Sequence, residues 1–528
     1  MTMRDFNHQT VPQLLACCAN IYRDKLAIKT DNATFSFLQV KQLANSVSKS
    51  LVSLNLKKGD RVAIWAPNLA EWVFAALGIE SIGAILVPLN TRMKGQEAAD
   101  IINRSGASVL FSLAEFDCGN GSHIRYFDLL ESIELPQLNV KINLSGAGSD
   151  QAMSFEQFLQ LGENQSDIEL ESIMQSVKPT DTMDMLFTSG TTGKPKGVMC
   201  GHSQNIRTVA TWAETNGLSK DDHYLIINPF FHSFGYKAGW LAGLIKGATI
   251  YPVLTFNLEK VLKQIETDQI TMLPGPPTIY QSILDYPNRD HFDLSSLNIA
   301  VTGAAPVSVR LIERMRTELN FSTIVTAYGL TETSGFVSIC RPDDPAEIIS
   351  HSSGRAMEGI EVKCVDSSGN MVDFNCPGEI WVKGYNVMQG YFDNEQATAE
   401  VITPDGWLKT GDVGVMDSQG YITITDRMKD MYISGGFNVY PAEIENTIAS
   451  LQGVSQVAVV GVSDQRMGEV GRAFITCTED SSLTPEQVID YCKEHLANYK
   501  VPRSVKFVEA MPMNASGKIT KMALREQA

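Results

Sequence analysis

One ten-residue stretch, Thr188 to Gly197, combines residue types that suit a phosphate chain. It contains Thr-Ser-Gly-Thr-Thr-Gly-Lys-Pro-Lys-Gly, and so holds four hydroxyls, three glycines and two lysines. Glycine lets the backbone come close to a ligand, and exposed N–H groups form a concavity that binds anions. The stretch is not a Walker loop, because that spacing requires glycine where Pro195 stands, followed by Lys-Ser/Thr. On composition alone, a flexible polar hairpin remains the alternative.

Four strings further along the chain carry groups that could bind a nucleotide or stabilise charge. Tyr328-Gly-Leu-Thr-Glu-Thr333 offers an aromatic face, hydroxyls and a carboxylate, which suit a purine, a phosphate and a magnesium ion. The string Gly406 to Asp412 ends in a carboxylate, which can accept hydrogen bonds from two hydroxyls. Paired glycines stand at 435 and 436, and Gly517-Lys518 lies in a Gly/Ser loop. Taken singly, each string could be an ordinary turn.

In this order, the strings resemble the signature motifs of the adenylate-forming enzymes, which include acyl-CoA synthetases, nonribosomal adenylation domains and beetle luciferases. The resemblance implies that the first loop holds the phosphates of ATP, with adenine stacked on Tyr328 and Mg²⁺ on Glu332. The nucleotide-binding residues that it implies are Thr188, Ser189, Gly190, Thr191, Thr192, Lys196, Ala305, Tyr328, Gly329, Thr331, Asp412, Arg427 and Lys518. Among these, Thr331 would contact the α-phosphate, and Asp412 with Arg427 would contact the ribose.

The resemblance also assigns residues to the acid and to the thiol. His232 falls where the family places the group that orients the carboxylate, although a lone histidine in such a turn is otherwise more often a core residue. The acyl pocket that the resemblance implies comprises His232, Phe234, Tyr236, Lys237, Gly303 and Ala304. Because burying an unpaired ammonium is costly, we expect Lys237 to reach solvent or, with Tyr236, to bind a ring ketone of the acid. Gly435 and Gly436 would lie along the pantetheine of coenzyme A.

The implied reaction has two halves that one site performs in turn. A carboxylate attacks the α-phosphate of ATP, giving an acyl-adenylate and pyrophosphate, and the CoA thiol then displaces AMP. Since two anions must meet in the first half, positioned cations and hydrogen-bond donors are the natural catalysts. The resemblance makes Lys518, Thr331 and His232 the catalytic residues. It makes Lys429 the hinge whose rotation withdraws Lys518 and brings Gly436 to the thiol.

Alternating strand-like and helix-like segments must position these residues. Arg61 to Trp65 has the pattern of a buried strand and Leu69 to Ser81 that of a helix, which predicts parallel sheets covered by helices. Residues 115–180 are polar and irregular, and we predict a connecting region there. Period-two patterns with Gly and Asn turns predict a β-rich subdomain at residues 354–426.

The predicted fold is α/β, with a large N-terminal domain of stacked parallel sheets and a small α+β C-terminal domain on a hinge. We place the large AMP-binding domain at residues 1–428 and the small mobile domain at 429–528. Two further strands are predicted at Ile270 to Pro274 and Ile299 to Val301. In the small domain, Tyr499-Lys-Val-Pro-Arg503 predicts a basic turn in solvent, with contact to CoA phosphates as the alternative.

Composition limits the partners and the compartment. A net charge of −17 argues against nucleic acid, whose phosphates need a basic face. Nine cysteines without Cys-x-x-Cys spacing indicate reduced thiols and no metal-ligand pattern. No apolar stretch has the length of a membrane span, and the N-terminus is unlike a secretory signal. We expect a cytoplasmic enzyme whose partners are a carboxylic acid, ATP and CoA, and a homodimer is left open.

Three functions compete at this point: an AMP-forming acyl-CoA ligase, an amino-acid- or aryl-acid-adenylating enzyme, and a catalytically silent relative that acts as a binding protein. An amino acid would need a carboxylate to pair with its ammonium, yet no Asp or Glu lies between Tyr224 and Leu258. The silent alternative is disfavoured because Glu332, Asp412 and Lys518 are all present. The sequence therefore favours the ligase.

The acid is less well defined than the reaction. The strings Asn228 to Gly239, Leu273 to Tyr280 and Arg341-Pro-Asp-Asp344 are similar to those of bacterial fatty-acid-type ligases. Within that group, they most resemble ligases for the bicyclic indane-dione propanoate left after steroid ring opening. A medium- or long-chain fatty acid is the other candidate.

Overall fold

The first 180 residues form strands that are covered by helices. The computed structural model describes residues 9–119, 121–189, 195–303, 307–366, 368–427, 432–439, 441–478, 481–512, 519 and 521–527. Buried apolar runs make the central strands, and the third helix is buried on nearly every side. The helices here are α1 (Val11–Tyr22), α2 (Phe37–Ser53), α3 (Ala70–Ser81), α4 (Gly95–Ser105), α5 (Phe155–Gln160) and α6 (Asp167–Ser176). The strands are β1 (Leu26–Lys29), β2 (Thr34–Ser36), β3 (Arg61–Trp65), β4 (Ile85–Pro88), β5 (Val109–Ser112), β6 (Phe116–Asp117), β7 (His123–Ile124), β8 (Val140–Asn143) and β9 (Met153–Ser154).

The next segment, residues 182–351, carries most of the predicted site. Its helices are α7 (His202–Thr215), α8 (Ala242–Lys246), α9 (Leu258–Asp268), α10 (Pro277–Leu284), α11 (Val309–Glu318) and α12 (Ala346–His351). Its strands are β10 (Thr182–Ser189), β11 (Pro195–Gly201), β12 (His223–Ile226), β13 (Thr249–Pro252), β14 (Ile299–Thr302), β15 (Thr323–Tyr328) and β16 (Ser338–Ile339). A π-helix at Phe234–Leu241 leads into α8, and Gly239 inside it has non-helical dihedral angles.

A β-rich subdomain follows, as the period-two pattern predicts. Its strands are β17 (Arg355–Ala356), β18 (Ile360–Val365), β19 (Pro377–Gly384), β20 (Gly390–Tyr391), β21 (Leu408–Met416) and β22 (Ile422–Arg427), with one helix, α13 (Glu395–Val401). Four of them form an antiparallel sheet in the order β18-β19-β21-β22. Cross-strand pairs on this sheet bring β21 and β22 side by side at the edge of the site.

The C-terminal part has its own hydrophobic core, which contains only residues beyond 431. It comprises β23 (Tyr432–Ser434), β24 (Phe437–Val439), α14 (Pro441–Ala449), β25 (Val454–Asp464), β26 (Gly468–Cys477), α15 (Pro485–His495), β27 (Ser504–Phe507) and α16 (Lys521–Arg525). Its sheet has the order β24-β23-β26-β25, with β27 parallel to β26. The separate core agrees with a small α+β domain, while the predicted boundary at 428–429 lies outside the described residues.

Two largely parallel sheets form the centre of the large domain. In the first, β1, β13 and β12 are parallel, and single parallel bridges through Met272 connect β12 to β14 and β15. The second has the order β20-β11-β10-β4-β3-β5-β8-β9. Its strands from β10 to β9 run parallel, while β10 and β11 form an antiparallel hairpin. This is the α/β architecture that the alternating pattern predicts.

Two sequence-based predictions about elements are wrong. The described part of residues 115–180 holds four short strands and two α-helices in addition to loops and a 3₁₀ turn, because short or polar elements leave a weak periodic signal. The strand predicted at Ile270 to Pro274 is reduced to the single bridge residue Met272. Among the described residues, no helix is both long enough and apolar enough to cross a membrane.

Candidate active site

A cavity of about 440 Å³ opens at the carboxyl ends of the first parallel sheet. The residues that follow β12, β14 and β15 line it, as do Gly275 and Pro276, which follow the bridge residue Met272. Its apolar walls include Phe116, Ile227, Phe231, Phe234, Phe256 and Ile279. In open α/β sheets, ligands bind outside the carboxyl ends of the strands. The fold therefore places a ligand-sized cavity where the topology predicts one.

The residues predicted to hold adenine and ribose lie together on one side of this cavity. Tyr328 and Gly329 stand at the end of β15, and Gly303 of the predicted acyl pocket follows the neighbouring β14. The Tyr328 hydroxyl donates to Asp412 Oδ2 at 2.6 Å, and both side chains are buried. Asp412 pairs with Arg427 in the backbone register of β21 and β22. A carboxylate, an aromatic ring and an open backbone edge thus converge.

The predicted phosphate and metal residues form a second group at the β10–β11 hairpin. Thr188 and Lys196 are paired across the two strands of the hairpin, one on either side of the predicted phosphate loop. Lys196 Nζ lies 4.9 Å from the centre of the Tyr391 ring, and the Tyr391 hydroxyl donates to Glu332 Oε1 at 2.9 Å. Thr331 and Glu332 occupy a 3₁₀ turn just after β15. Tyr391 therefore connects the loop lysine to the predicted magnesium ligand.

Glu332 is a suitable partner for a magnesium ion that arrives with ATP. Proteins commonly hold Mg²⁺ through one or two carboxylates together with substrate phosphates. Across the described part of the chain, no three His, Cys, Asp or Glu side chains converge as they would around a protein-only metal site. The residues present thus fit an ion shared with the nucleotide.

Several predicted site residues cannot be placed. Those outside the described residues are Gly190, Thr191, Thr192, Ala304, Ala305, Lys429 and Lys518. Ser189 is described only as backbone of β10, and Arg427 only as backbone of β22. The roles assigned to them stay predictions.

His232 lines the cavity, and its hydrogen bonding fixes one ring tautomer. The Phe234 backbone N–H donates to His232 Nδ1 at 3.2 Å, so the ring proton belongs on Nε2. The side chain is exposed at the cavity, and partial desolvation by the surrounding protein lowers the pKa of His232. A neutral imidazole with a free Nε2–H can donate a hydrogen bond to a carboxylate. The geometry therefore agrees with the predicted role of orienting the acid.

Tyr236 and Lys237 lie away from the cavity, contrary to the expected acyl-pocket placement. Both side chains are fully buried: the Tyr236 hydroxyl donates to Glu80 Oε1 at 2.5 Å, and Lys237 Nζ lies 3.3 Å from Asp184 Oδ2. Burial alone would lower the pKa of Lys237, but the Asp184 carboxylate raises it overall. Lys237 thus neither reaches solvent nor faces a ring ketone. Its ammonium is accommodated by an acidic partner on β10.

A turn of the small domain closes one side of the cavity. Gly435, Gly436 and Phe437 line it together with residues of the large domain. Both glycines have positive φ, at 57° and 82°, and a Cβ on Gly436 would meet no atom within 4 Å. The turn therefore presents bare backbone beside open space, as the predicted pantetheine contact requires.

Comparison with known proteins then decides the family. Residues 16–392 match the family described as AMP-binding enzyme, and residues 443–518 match the AMP-binding enzyme C-terminal domain. The chain belongs to the AMP-binding enzymes. The predicted family and fold class are thereby confirmed.

Relatives within the family narrow the enzyme class. The chain is 46% identical over 520 residues to a 3-[(3aS,4S,7aS)-7a-methyl-1,5-dioxo-octahydro-1H-inden-4-yl]propanoyl:CoA ligase of Rhodococcus jostii, covering 98% of each chain. A ligase of the same name from Mycobacterium tuberculosis is also 46% identical, with 98% and 99% covered. Among solved structures, an o-succinylbenzoate CoA synthetase from Bacillus subtilis bound to a product analogue shares 27% identity, with a TM-score of 0.81 over 98% and 99% of the two chains. This AMP-binding enzyme is an acyl-CoA synthetase, as the motifs predict.

Sequence reasoning missed several residues that contribute to this site. Tyr391 touches both the predicted loop lysine and Glu332, and Arg92 and Asn228 line the cavity. Tyr391 belongs to a two-residue strand, so no periodic pattern marks it. Its pairing with β11 becomes visible only once the hairpin is folded.

Proposed function

We propose that this ATP-dependent, AMP-forming ligase activates a bicyclic, steroid-derived keto acid such as 3-(7a-methyl-1,5-dioxo-octahydro-inden-4-yl)propanoate. The observation that carries the proposal is 46% identity, across 98% of the chain, to two ligases named for that acid. The cavity is compatible with it, since about 440 Å³ lies within the range of roughly 300–1,000 Å³ typical of small-molecule pockets. Its aromatic and aliphatic walls suit a fused ring system.

Each residue of the site would have a distinct role in binding or catalysis. His232 would donate its Nε2–H to the carboxylate, and Tyr328 with Asp412 would hold adenosine. Lys196 and the hydroxyls of the loop would hold the departing pyrophosphate. Magnesium carried on Glu332 would supply charge neutralisation at the phosphates. Lys518 would bridge the acid and the α-phosphate, and Lys429 would act as the hinge.

Asn228 replaces Lys237 as the residue that we expect to recognise a ring ketone. It lines the cavity and is half-buried, and within the described part its side-chain amide has no hydrogen-bond partner. A neutral hydrogen bond contributes about 1 kcal/mol, so Asn228→Leu should lower kcat/KM for the keto acid by roughly fivefold. The measurement is steady-state AMP release with the keto acid and with a saturated fatty acid of similar length. Equal losses with the two acids would contradict this role.

A medium-chain fatty acid is the second candidate, because the apolar walls of the cavity would also bind an alkyl chain. The discriminating experiment is a CoA-dependent AMP-release screen over fatty, aryl and steroid-derived acids. We expect kcat/KM to be highest for the bicyclic keto acid. A clear preference for straight-chain acids would reject the keto-acid assignment and leave the enzyme class intact.

The finer properties of the enzyme belong to the same proposal. We expect activity to require Mg²⁺ as well as ATP and CoA, because a carboxylate such as Glu332 holds this ion together with the phosphates of the substrate. We also propose that the chain divides into two domains at residues 428–429 and that the enzyme is cytoplasmic.

A further inference from the structure

The segment from Asn90 to Glu97 in the large domain contacts the small domain at three places. Asn90 Nδ2 donates to the Tyr499 hydroxyl at 3.0 Å. The Arg92 guanidinium lies 4.1 Å from the centre of the Phe437 ring. Lys500 Nζ lies 2.8 Å from Glu97 Oε1. These contacts fall on two separate stretches of the small domain, so they fix its orientation as well as its distance.

Lys500 is the centre of this interface. The sequence predicts a solvated basic turn here, but Lys500 is only 5% exposed. Its ammonium also lies 2.7 Å from Glu443 Oε1 within the small domain, so one cation is shared by a carboxylate from each domain. Burial would lower the pKa of Lys500, yet the two carboxylates raise it overall. A buried cation between two carboxylates holds both partners firmly, because removing it leaves charge without solvent or partner.

The cluster is connected directly to the turn that lines the cavity. Tyr499, which precedes Lys500, packs its ring against Phe437 at 4.7 Å between ring centres. Phe437 follows Gly435 and Gly436, and all three residues line the cavity. Fixing Tyr499 and Lys500 against the large domain therefore fixes the position of the turn.

We infer that Lys500 is a positioning residue for the thioester-forming half of the reaction. Through Glu97 and Glu443 it holds the Gly435–Phe437 turn against the cavity, where the turn guides the thiol substrate toward the acyl-adenylate. The described residues that line the cavity do not include Lys500, so we infer that it acts through the turn. The inference rests on the proposed function, because it assigns the residue to one of the two half-reactions.

The test measures the two half-reactions separately in the full-length enzyme. Adenylate formation is followed by acid-dependent exchange of pyrophosphate into ATP, and thioester formation by single turnover of supplied acyl-adenylate with CoA. Lys500→Met should slow thioester formation by about 10²-fold, since a displacement of about 1 Å in a positioned group has that effect. Pyrophosphate exchange should stay within about twofold of wild type. Lys493→Met, which removes an exposed lysine of the same domain, is the matched control.

A second variant distinguishes loss of this interdomain contact from misfolding of the small domain. Glu97→Gln removes the charge from the large-domain side only, and glutamine can still accept from the Lys94 N–H at the start of α4. It should slow thioester formation selectively and raise the KM for CoA. Equal loss of both half-reactions, or unchanged thioester formation in both folded variants, would overturn the inference. If wild-type enzyme performs neither half-reaction with any acid, the proposed function itself fails.

Discussion

At the scale of single residues, the site depends on side chains that join groups from different parts of the chain. Tyr391 is such a residue, because its ring lies beside Lys196 and its hydroxyl donates to Glu332. One side chain therefore sets the distance between the predicted pyrophosphate cation and the predicted magnesium ligand. Removing only the hydroxyl abolishes the contact with Glu332 and keeps the ring contact with Lys196.

Tyr391→Phe should weaken the use of magnesium while leaving the ring beside Lys196. A hydrogen bond to a charged group contributes about 1.5–3 kcal/mol, so we expect kcat/KM for MgATP to fall about tenfold or more. The concentration of Mg²⁺ that gives half-maximal activity should rise as well. Tyr286→Phe, in the loop after α10, is a suitable control. An unchanged Mg²⁺ dependence would show that the hydroxyl does not position Glu332.

Lys237 illustrates a different role at the same scale, since its ion pair with Asp184 is fully buried. Lys237→Met leaves the Asp184 charge with Asn205 as a hydrogen-bond donor, at 2.8 Å, but without its cation. Breaking one side of a buried pair typically costs about 3–5 kcal/mol, so we expect the urea midpoint of unfolding to fall markedly.

A double variant tests whether the unpaired Asp184 charge causes this loss of stability. Adding Asp184→Asn to Lys237→Met removes the stranded charge and should restore part of the lost stability. A Lys237→Met enzyme of normal stability that discriminates against keto acids would instead return Lys237 to the acyl pocket.

At the scale of elements, helix ends and strand ends determine where the chemistry can occur. The β10–β11 hairpin ends the parallel part of its sheet, and the pairing of β11 with β20 brings Tyr391 to the base of the predicted phosphate loop. α7 begins at His202, directly after this hairpin. His202 Nδ1 accepts from the Val11 N–H at 3.2 Å, and so joins the start of α7 to the start of α1.

The contribution of this His202–Val11 contact to stability should depend on pH. Burial lowers the pKa of His202 from 6.5 to about 4, so the imidazole stays neutral in the folded protein while the unfolded chain takes up a proton. Stability is therefore fully present above pH 6.5 and is lost as pH falls toward about 4, by about 3 kcal/mol in all. We expect this part of the pH dependence to disappear in His202→Gln. Urea unfolding of both proteins at several pH values measures it, and parallel curves would contradict the assignment.

The elements also show what sequence patterns can and cannot predict. Arg61–Trp65 forms a strand over the residues that its pattern indicates, and Ile299 to Val301 lie in β14 as predicted, because burial imposes a regular spacing on such segments. The positions of Lys237 and Lys500 could not be foreseen. Their partners Asp184 and Glu97 lie 53 and 403 residues away in sequence, so only the fold shows that each lysine is buried beside a carboxylate. The cost of burying an unpaired ammonium predicts solvent or a ring ketone as the partner of Lys237, and the basic composition around Lys500 predicts a solvated turn.

At the scale of the whole molecule, one cavity is bounded by two domains with separate cores. The large domain supplies the ends of parallel strands, and the small domain supplies the Gly435–Phe437 turn. The contacts from Asn90 to Glu97 hold that turn in place. Acid, nucleotide and thiol can therefore meet in a single space, as a reaction with two consecutive halves requires.

The stoichiometry of the complete reaction tests the central claim most directly. Purified wild-type enzyme is supplied with MgATP, CoA and the bicyclic keto acid, and AMP, pyrophosphate and acyl-CoA are quantified in the same samples. Ligation through an acyl-adenylate predicts one AMP and one pyrophosphate for each thioester, and no thioester without ATP. Release of ADP, or an absence of thioester with every acid tested, would contradict it.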